Sequence, residues 1–471
     1  MDASDINLLD KDSFAQGKHH EWLTWLRHNA PVYRHPEPRG QGFWVLSKHA
    51  DIAAVSRDST VFSSDTENGG ILGLTEVERA PVTLTAKGAK SIPLMDPPEH
   101  TPYRASVERA FRPRSVRAME DQVRHMVTRV LDEAIARETV DFVDEVAGRI
   151  TIGILAEQLG AAERDIPQLY DWANLAVGAD DPEYLQSFMQ ELAGPRPIVR
   201  EIARAAREFG MSGLRFLPFL LQASPSERRS YLALYKGRGD LQRYSRGLIQ
   251  ARRAAPGTDD LVTKLLAAEV NGAPMSDQHI TLYIELFLTA GHETTRTAIA
   301  HGIERLLEHP DAYAELRGDP SAIPTAVEEI LRWSTPVQYF RRAVLQDVEI
   351  GGQHIARGDS VALWYLSGNR DEDVFSDPFT FDIRRKPNNH LAFGGGGVHF
   401  CLGSKLARLE IQVLLEELTQ RVSQMESLAP PSFLRSNCIH GIKHLPVRLR
   451  SAAASVSDDR ASVLTPLDTN G

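Results

Sequence analysis

HLAFGGGGVHFCLGSKLARLE, residues 390–410, decides the reading of this chain. Four consecutive glycines at 394–397 lead into Cys401 and Gly403. A helical pattern of apolar positions follows (Leu402, Leu406, Ala407, Leu409, Ile411, Leu414, Leu415). A cysteine in a glycine-rich loop at a helix N-terminus sits where backbone N–H groups and the helix dipole favour negative charge, which suits a thiolate. Glycines also let the backbone approach a flat cofactor closely, and backbone amides can tune the sulfur by hydrogen bonding. Other readings stand beside this one. A lone intracellular cysteine is more often a small buried hydrophobe. A phosphate cradle would need GxxxxGK[ST], whereas Ser404-Lys405 follow only Gly403, and four glycines in a row do not fit GxGxxG. A cysteine hydrolase would need a His/Asn partnership that the linear sequence does not place.

Composition narrows the field. The 471 residues are 42% hydrophobic and can bury a substantial core. A formal net charge of -10 argues against bulk nucleic-acid binding, which needs a basic face. Cys401 and Cys438 are the only cysteines, so a disulfide framework and a multi-cysteine zinc site are both excluded. The N-terminal MDASDINLLDKDSF has neither a basic nor an apolar leader region, and the most apolar run, LYIELFLTAG, is interrupted by Glu285. The expectation is a soluble, cytoplasmic protein.

Along the chain, residues 1–20 and 451–471 are polar and aperiodic and are expected to be mobile tails around one domain, 21–450. Residues 41–64 suggest a strand, a short helix and a loop, and 66–96 a long irregular loop. Helical periodicity runs through much of 100–250. β-branched alternation around a turn at Gly351-Gly352 suggests short strands within 338–366. One helix stands out: Ser276 is an N-cap, and the pattern runs to His309–Pro310, about 30 residues or on the order of 45 Å. Its middle, Ala290-Gly291-His292-Glu293-Thr294-Thr295, sets a helix-breaking glycine beside polar residues in an apolar run. The segment 211–236 reads either as a lid with an apolar tip or as a core helix.

The cysteine loop resembles the haem-binding signature of the cytochrome P450 superfamily: Phe393, Gly397, His399, Cys401 and Gly403 follow its order. Phe393 lies eight residues before Cys401 rather than the usual seven, which reads as one extra glycine; actinobacterial relatives that oxidise sterols and branched lipids carry similar insertions. The resemblance spans about residues 40–450. It implies the mainly α (α+β) fold of that superfamily, with small sheets, a long central helix over the haem, and Cys401 as ligand to the iron of haem b. By the same resemblance, Ala290, Gly291, Glu293 and Thr294 form the oxygen-activation motif. There the glycine and a displaced backbone bond open a groove, Glu293 is the acid and Thr294 the alcohol of a proton relay. Glu329 and Arg332 match the ExxR pair, joined by Arg385 or its neighbour Arg384 in a folding role. His100, Arg104, Arg342 and His399 resemble the ligands of the haem propionates.

The activity implied is monooxygenation, with one oxygen atom of O2 inserted into a C–H bond. Nothing in the chain resembles a flavin domain or a ferredoxin cysteine set, so the electron donors are expected to be a separate ferredoxin and its reductase. They would dock near Cys401 over Arg112, Arg114, Lys405 and Arg408. The resemblance places substrate contacts at Ile71, Leu72 and Leu74, at Leu286, Thr289 and Ala290, at 337–340 (Val337 and Phe340), and at the 439–442 turn (Ile439). These are mostly apolar. Stretches such as MDPPEHTPYR and WYLSGNRDEDVF are similar to those of terpenoid and sterol oxidisers, so a terpenoid, steroid, lipid or natural-product intermediate is expected. Two rival classes are a peroxide-driven haem peroxygenase and a non-catalytic haem protein that binds a ligand or senses gas.

Overall fold

The computed structural model describes residues 1–38, 40–75, 89–186 and 225–452. Its organising element is the helix Asp277–Glu308, capped by the Ser276 hydroxyl, which accepts from the His279 N–H at 3.3 Å. Four helices pack around it: Arg149–Leu159, Ile166–Gly178, Pro225–Ala254 and Ile323–Ser334. The helix Ser404–Arg421, which follows the cysteine loop, meets it as well. This explains why the long helix is buried along most of its length: it is wrapped on several sides rather than laid on a surface. Apolar stripes at helical spacing build this core: Ile411, Leu414, Leu415 and Leu418 on Ser404–Arg421, and Val123, Val127, Val130 and Ala134 on Glu120–Arg137, which packs on Ser404–Arg421 and Arg149–Leu159.

A five-stranded sheet stands beside this helical body, in the order Val32–His35, Phe43–Leu46, Ser360–Trp364, Tyr339–Val344, Phe62–Ser63. Its pairs are antiparallel apart from Phe43–Leu46 with Ser360–Trp364. The two-residue period of a strand sorts Tyr339–Val344 into two faces. Phe340 and Arg342 face the interior cavity described below, whereas Arg341 turns the other way and donates to Gly70 O at 3.0 Å and Ser360 Oγ at 2.7 Å. The turn between Val348–Ile350 and Gln353–Ile355 falls at Gly351-Gly352, both with positive φ, as expected.

The N-terminus departs from expectation. Residues 1–20 are not a mobile tail: Ile6, Leu8 and Phe14 are buried against Trp364 and Tyr339, and the Leu8 N–H donates to His35 Nε2 at 3.0 Å. The polar look of the segment hid these three apolar residues, which form a plug over one face of the sheet. At the other end, Ser451 closes the strand Pro446–Ser451, and 453–471 lie outside the described residues. So do 76–88 of the expected long loop and 211–224 of the expected lid; residues 225–236 belong to the helix Pro225–Ala254. Among the described residues no helix is long and apolar enough to cross a membrane.

Candidate active site

A cavity of about 270 Å³ lies between the long helix and the 390–403 loop. The loop takes its shape from glycine. Gly397 has φ +77°, and a Cβ there would stand 2.5 Å from the Ser56 carbonyl; Gly395 is pressed against Ala53 and Ser56 in the same way. The four-glycine run therefore lets the loop sit flat on the helix His49–Arg57, with Arg57 Nε donating to Gly395 O at 3.2 Å. Gly397 itself does not line the cavity, contrary to expectation; Gly394, Gly395, Gly396 and Gly403 do. The Cys401 N–H donates to Phe393 O at 3.1 Å, so the eight-residue spacing still brings the phenylalanine back to the cysteine. Phe393 lines the cavity, with the Arg408 guanidinium 4.5 Å from its ring centroid.

The Cys401 side chain opens into this cavity and has protein on its other sides. Burial pushes its thiol up from the usual range, while the Gly403 and Ser404 N–H groups and the charges of Arg104 and Arg408 pull it down. Burial wins. A cationic partner in the cavity would add to the stabilisation of the thiolate.

Four nitrogen-bearing side chains line the same cavity: His100, Arg104, Arg342 and His399. The two imidazoles lie 4.6 Å apart, centroid to centroid. Burial first, then the neighbouring guanidiniums, lower His100 to about 4 and His399 to about 3. His399 Nε2 is buried with no hydrogen-bond partner. Positive charge and an orphaned nitrogen, crowded beside an apolar slot and a sulfur, make a cradle for a flat dianionic group with a metal at its centre. The residues fit a haem with two propionates.

On the opposite wall the long helix presents Leu286, Phe287, Ala290, Gly291, Thr294, Thr295 and Ala298. Thr294 Oγ1 donates to Ala290 O at 2.6 Å, and the helix is continuous through this turn. Gly291 is also a packing position, since a Cβ there would stand 3.0 Å from Leu155 Cδ2. Glu293 does not line the cavity. It is fully buried behind the helix, where Oε2 accepts from Arg296 Nη2 at 2.5 Å and Oε1 from Thr297 Oγ1 at 3.2 Å. Arg296 in turn donates to the hydroxyls of Tyr170 (3.1 Å) and Tyr184 (2.6 Å). Burial raises the Glu293 carboxyl, against the opposing pull of Arg296.

Of the expected substrate contacts, Ile71, Leu286, Ala290, Val337 and Phe340 line the cavity. Leu72 is instead exposed at 39%, and Leu74 is buried in the N-terminal plug. Thr289 turns its hydroxyl back onto Glu285 O at 2.9 Å, and Ile439 sits behind the wall, bridging Val337. Ile92, Phe111, Phe287 and Glu410 were missed. Glu410 has a signal in the sequence: it occupies the buried stripe 406–410–414 of its helix, where an acid is out of place. Burial alone raises its carboxyl well above the usual range.

Glu329, Arg332 and Arg385 converge as expected, with Arg385 Nε 3.1 Å from Glu329 Oε2. Arg384 is excluded from that cluster, because it pairs at the surface with Glu315 and Asp319. In the expected docking patch, Arg112, Arg114 and Lys405 are exposed. Arg408 is not a free cation there; it is tied to Glu328 at 2.6 and 2.8 Å.

Comparison with known proteins decides the family. The chain is 35% identical to linalool 8-monooxygenase of Pseudomonas putida, over 94% of its own length and 98% of that protein. The chain belongs to the cytochrome P450 superfamily. The Cytochrome P450 family model matches residues 235–427. A steroid C26-monooxygenase of Mycolicibacterium smegmatis is 31% identical, with 96% of each chain covered. A solved Mycobacterium marinum cytochrome P450 in complex with pseudoionone superposes with a TM-score of 0.77 at 33% identity, covering 93% of this chain and 96% of that one. This cytochrome P450 is thus a haem-binding monooxygenase with the superfamily's mainly helical fold.

Proposed function

We propose that this enzyme inserts oxygen into an apolar small molecule of the terpenoid, steroid or branched-lipid class, with electrons delivered by a separate ferredoxin and its reductase. The observation that carries the substrate class is the composition of the cavity. Its charged and imidazole side chains (His100, Arg104, Arg342, His399, Glu410) crowd the cofactor end, while Ile71, Ile92, Leu286, Phe287, Val337 and Phe340 make apolar wall. A polar substrate would lose its hydration against that wall without recovering hydrogen bonds. The relatives named as acting on linalool, steroids and methyl-branched lipids support the same reading.

In this reading Cys401 is the iron ligand, and Arg104, Arg342, His100 and His399 hold the propionates. The haem, when bound, supplies the dioxygen chemistry; the protein excludes water and handles protons. Thr294 stands at the cavity wall with its hydroxyl on Ala290 O and is the group placed to pass a proton inward. Glu293 is the acid held in reserve behind the helix. Its carboxylate reaches Thr294 only after leaving Arg296, so proton delivery is gated by that ion pair.

Two measurements test the proposal. Titrating monoterpene alcohols, steroids and branched fatty acids into the ferric enzyme is expected to give a saturable high-spin absorbance shift with at least one class. If none of the three shifts the spectrum while hydrophilic molecules do, the substrate reading fails. For the donor, reversing charge at Arg112, Arg114 and Lys405 is expected to slow reduction by ferredoxin by roughly tenfold or more at low salt, and less at high salt. An unchanged reduction rate would remove the docking face. Equal turnover with hydrogen peroxide alone would mark a peroxide-driven enzyme instead.

A further inference from the structure

His19 is 1% exposed; its ring has the Phe14 backbone as a polar neighbour and makes no well-formed side-chain hydrogen bond. Buried polar groups are rarely left so, and a lone pair with no donor nearby is explained if it is kept for a cation. One ring nitrogen each from His19, His20 and His440 lie within 4.8 Å of one another, although the first two and the third come from opposite ends of the chain. His440 is already oriented as a ligand. Its Nδ1 donates to the Ser334 carbonyl at 2.7 Å, which fixes the tautomer and leaves Nε2 as the lone-pair nitrogen.

His301 supports the cluster without joining it: its Nε2 donates to the His440 carbonyl at 2.7 Å, and its ring lies tilted against that of His440, 4.3 Å between centroids. Glu304, 3.8 Å from His301 Nδ1, is the carboxylate one layer out. The charges acting on the rings of His19 and His20 come from the neighbouring imidazoles, His301 on both and His19 on His20, and from Arg370 and Arg27; the three-residue group offers no carboxylate. Oxygen-seeking calcium and magnesium are therefore disfavoured, whereas neutral imidazoles suit zinc and copper. Zinc–nitrogen bonds of about 2.0–2.1 Å put tetrahedral ligands roughly 3.4 Å apart, a closure that ring rotation can supply. His20 is only half-buried and gives an ion its way in.

We propose that His19, His20 and His440 form a binding site for one borderline transition-metal ion, zinc(II) or copper, separate from the haem centre. An ion there ties the N-terminal helix His19–Asn29 to the loop that backs the substrate wall. The His440 N–H donates to Pro336 O at 2.9 Å and Ile439 bridges Val337, while Pro336 and Val337 line the cavity.

The test uses the untagged, haem-loaded, full-length enzyme, stripped with EDTA and equilibrated with zinc(II), or with copper under reducing conditions. Metal per haem is then measured after desalting against a competing chelator. One equivalent of either ion is expected in the wild type. His20→Asn and His440→Gln should bind it at least about tenfold more weakly, with unchanged haem content reporting that both variants are folded. His444→Ala, which removes the separate group of Asp141, Asp144 and His444, should leave the ion in place. Retention of neither metal by the wild type overturns the site, as does a loss that follows His444→Ala rather than His20→Asn.

Discussion

Cys401→Ala is expected to abolish monooxygenation and to remove the thiolate-type Soret band of the reduced, CO-bound protein. Cys401 is the one sulfur among the described residues lining the cavity, and the other cysteine, Cys438, packs with the N-terminal plug. The other described lining side chains with a lone pair to offer are imidazoles, hydroxyls and the Glu410 carboxyl, which give a different axial field and none of the electron push of a thiolate. The loop should survive the change, because its shape comes from glycine φ angles and from the Cys401 N–H to Phe393 O bond, which alanine retains. Haem would then be held by the propionate partners alone, so the variant is read by its spectrum and not by colour. A variant that keeps both turnover and the thiolate band would refute the ligand assignment. Cys401→His sharpens the experiment: an imidazole-ligated spectrum without turnover separates loss of the thiolate from loss of the cofactor.

Most of the cofactor end of this cavity was legible in the sequence, because its chemistry is local. A glycine run, a cysteine and a following helix lie within 21 residues, and no long-range contact is needed to read them. The substrate wall was less legible. On the long helix the lining residues 286, 287, 290, 291, 294, 295 and 298 recur at spacings of three and four, and Thr289 falls off that stripe. Glu293, three residues after Ala290 and seven after Leu286, stands at the edge of the stripe, and its carboxylate is held by Arg296, three residues on. Periodicity thus held the answer for Thr289, whereas Glu293 is decided by an ion-pair partner that the motif does not show. No comparable rule exists for Leu72 and Leu74: in irregular backbone, side-chain direction is set by what the loop packs on, and here that is the N-terminal plug. That plug was itself misjudged, since Ile6, Leu8 and Phe14 are too few to give a period and find their partners more than 300 residues away, at Tyr339 and Trp364.

The second large effect concerns a carboxylate that touches neither cofactor nor substrate. Glu329 and Arg332 are fully buried, and Glu329 is the counter-charge for two guanidiniums at once. Arg332 donates to it at 2.8 and 2.7 Å and also to the carbonyls of Asn369 and Pro378. Arg385 donates to it at 3.1 Å and to the carbonyls of Ser376 and Thr380, while the Asp382 N–H and Asn388 Nδ2 add 2.9 and 3.1 Å bonds to the same carboxylate. The segment 376–388 is therefore folded around Glu329, and it runs straight into the loop that carries Cys401. Glu329→Ala would leave two buried cations without a counter-charge, at about 3–5 kcal/mol. Set against a total stability of about 5–15 kcal/mol, that is a large share, so we expect a much lower yield of folded, haem-loaded enzyme and a strongly lowered Tm. Glu329→Gln keeps the shape but turns an amide N–H toward donors, so we expect soluble protein with a lowered Tm and reduced haem occupancy. Arg384→Ala is the control: its partners Glu315 and Asp319 are at the surface, and its removal should leave haem content and Tm close to wild type. In a thermal ramp of the Gln variant, loss of the Soret band should precede loss of far-ultraviolet circular dichroism, because the haem loop loses its anchor before the helical body melts. Coincident transitions at the wild-type temperature, with full haem content, would show that this carboxylate does not support the cysteine loop.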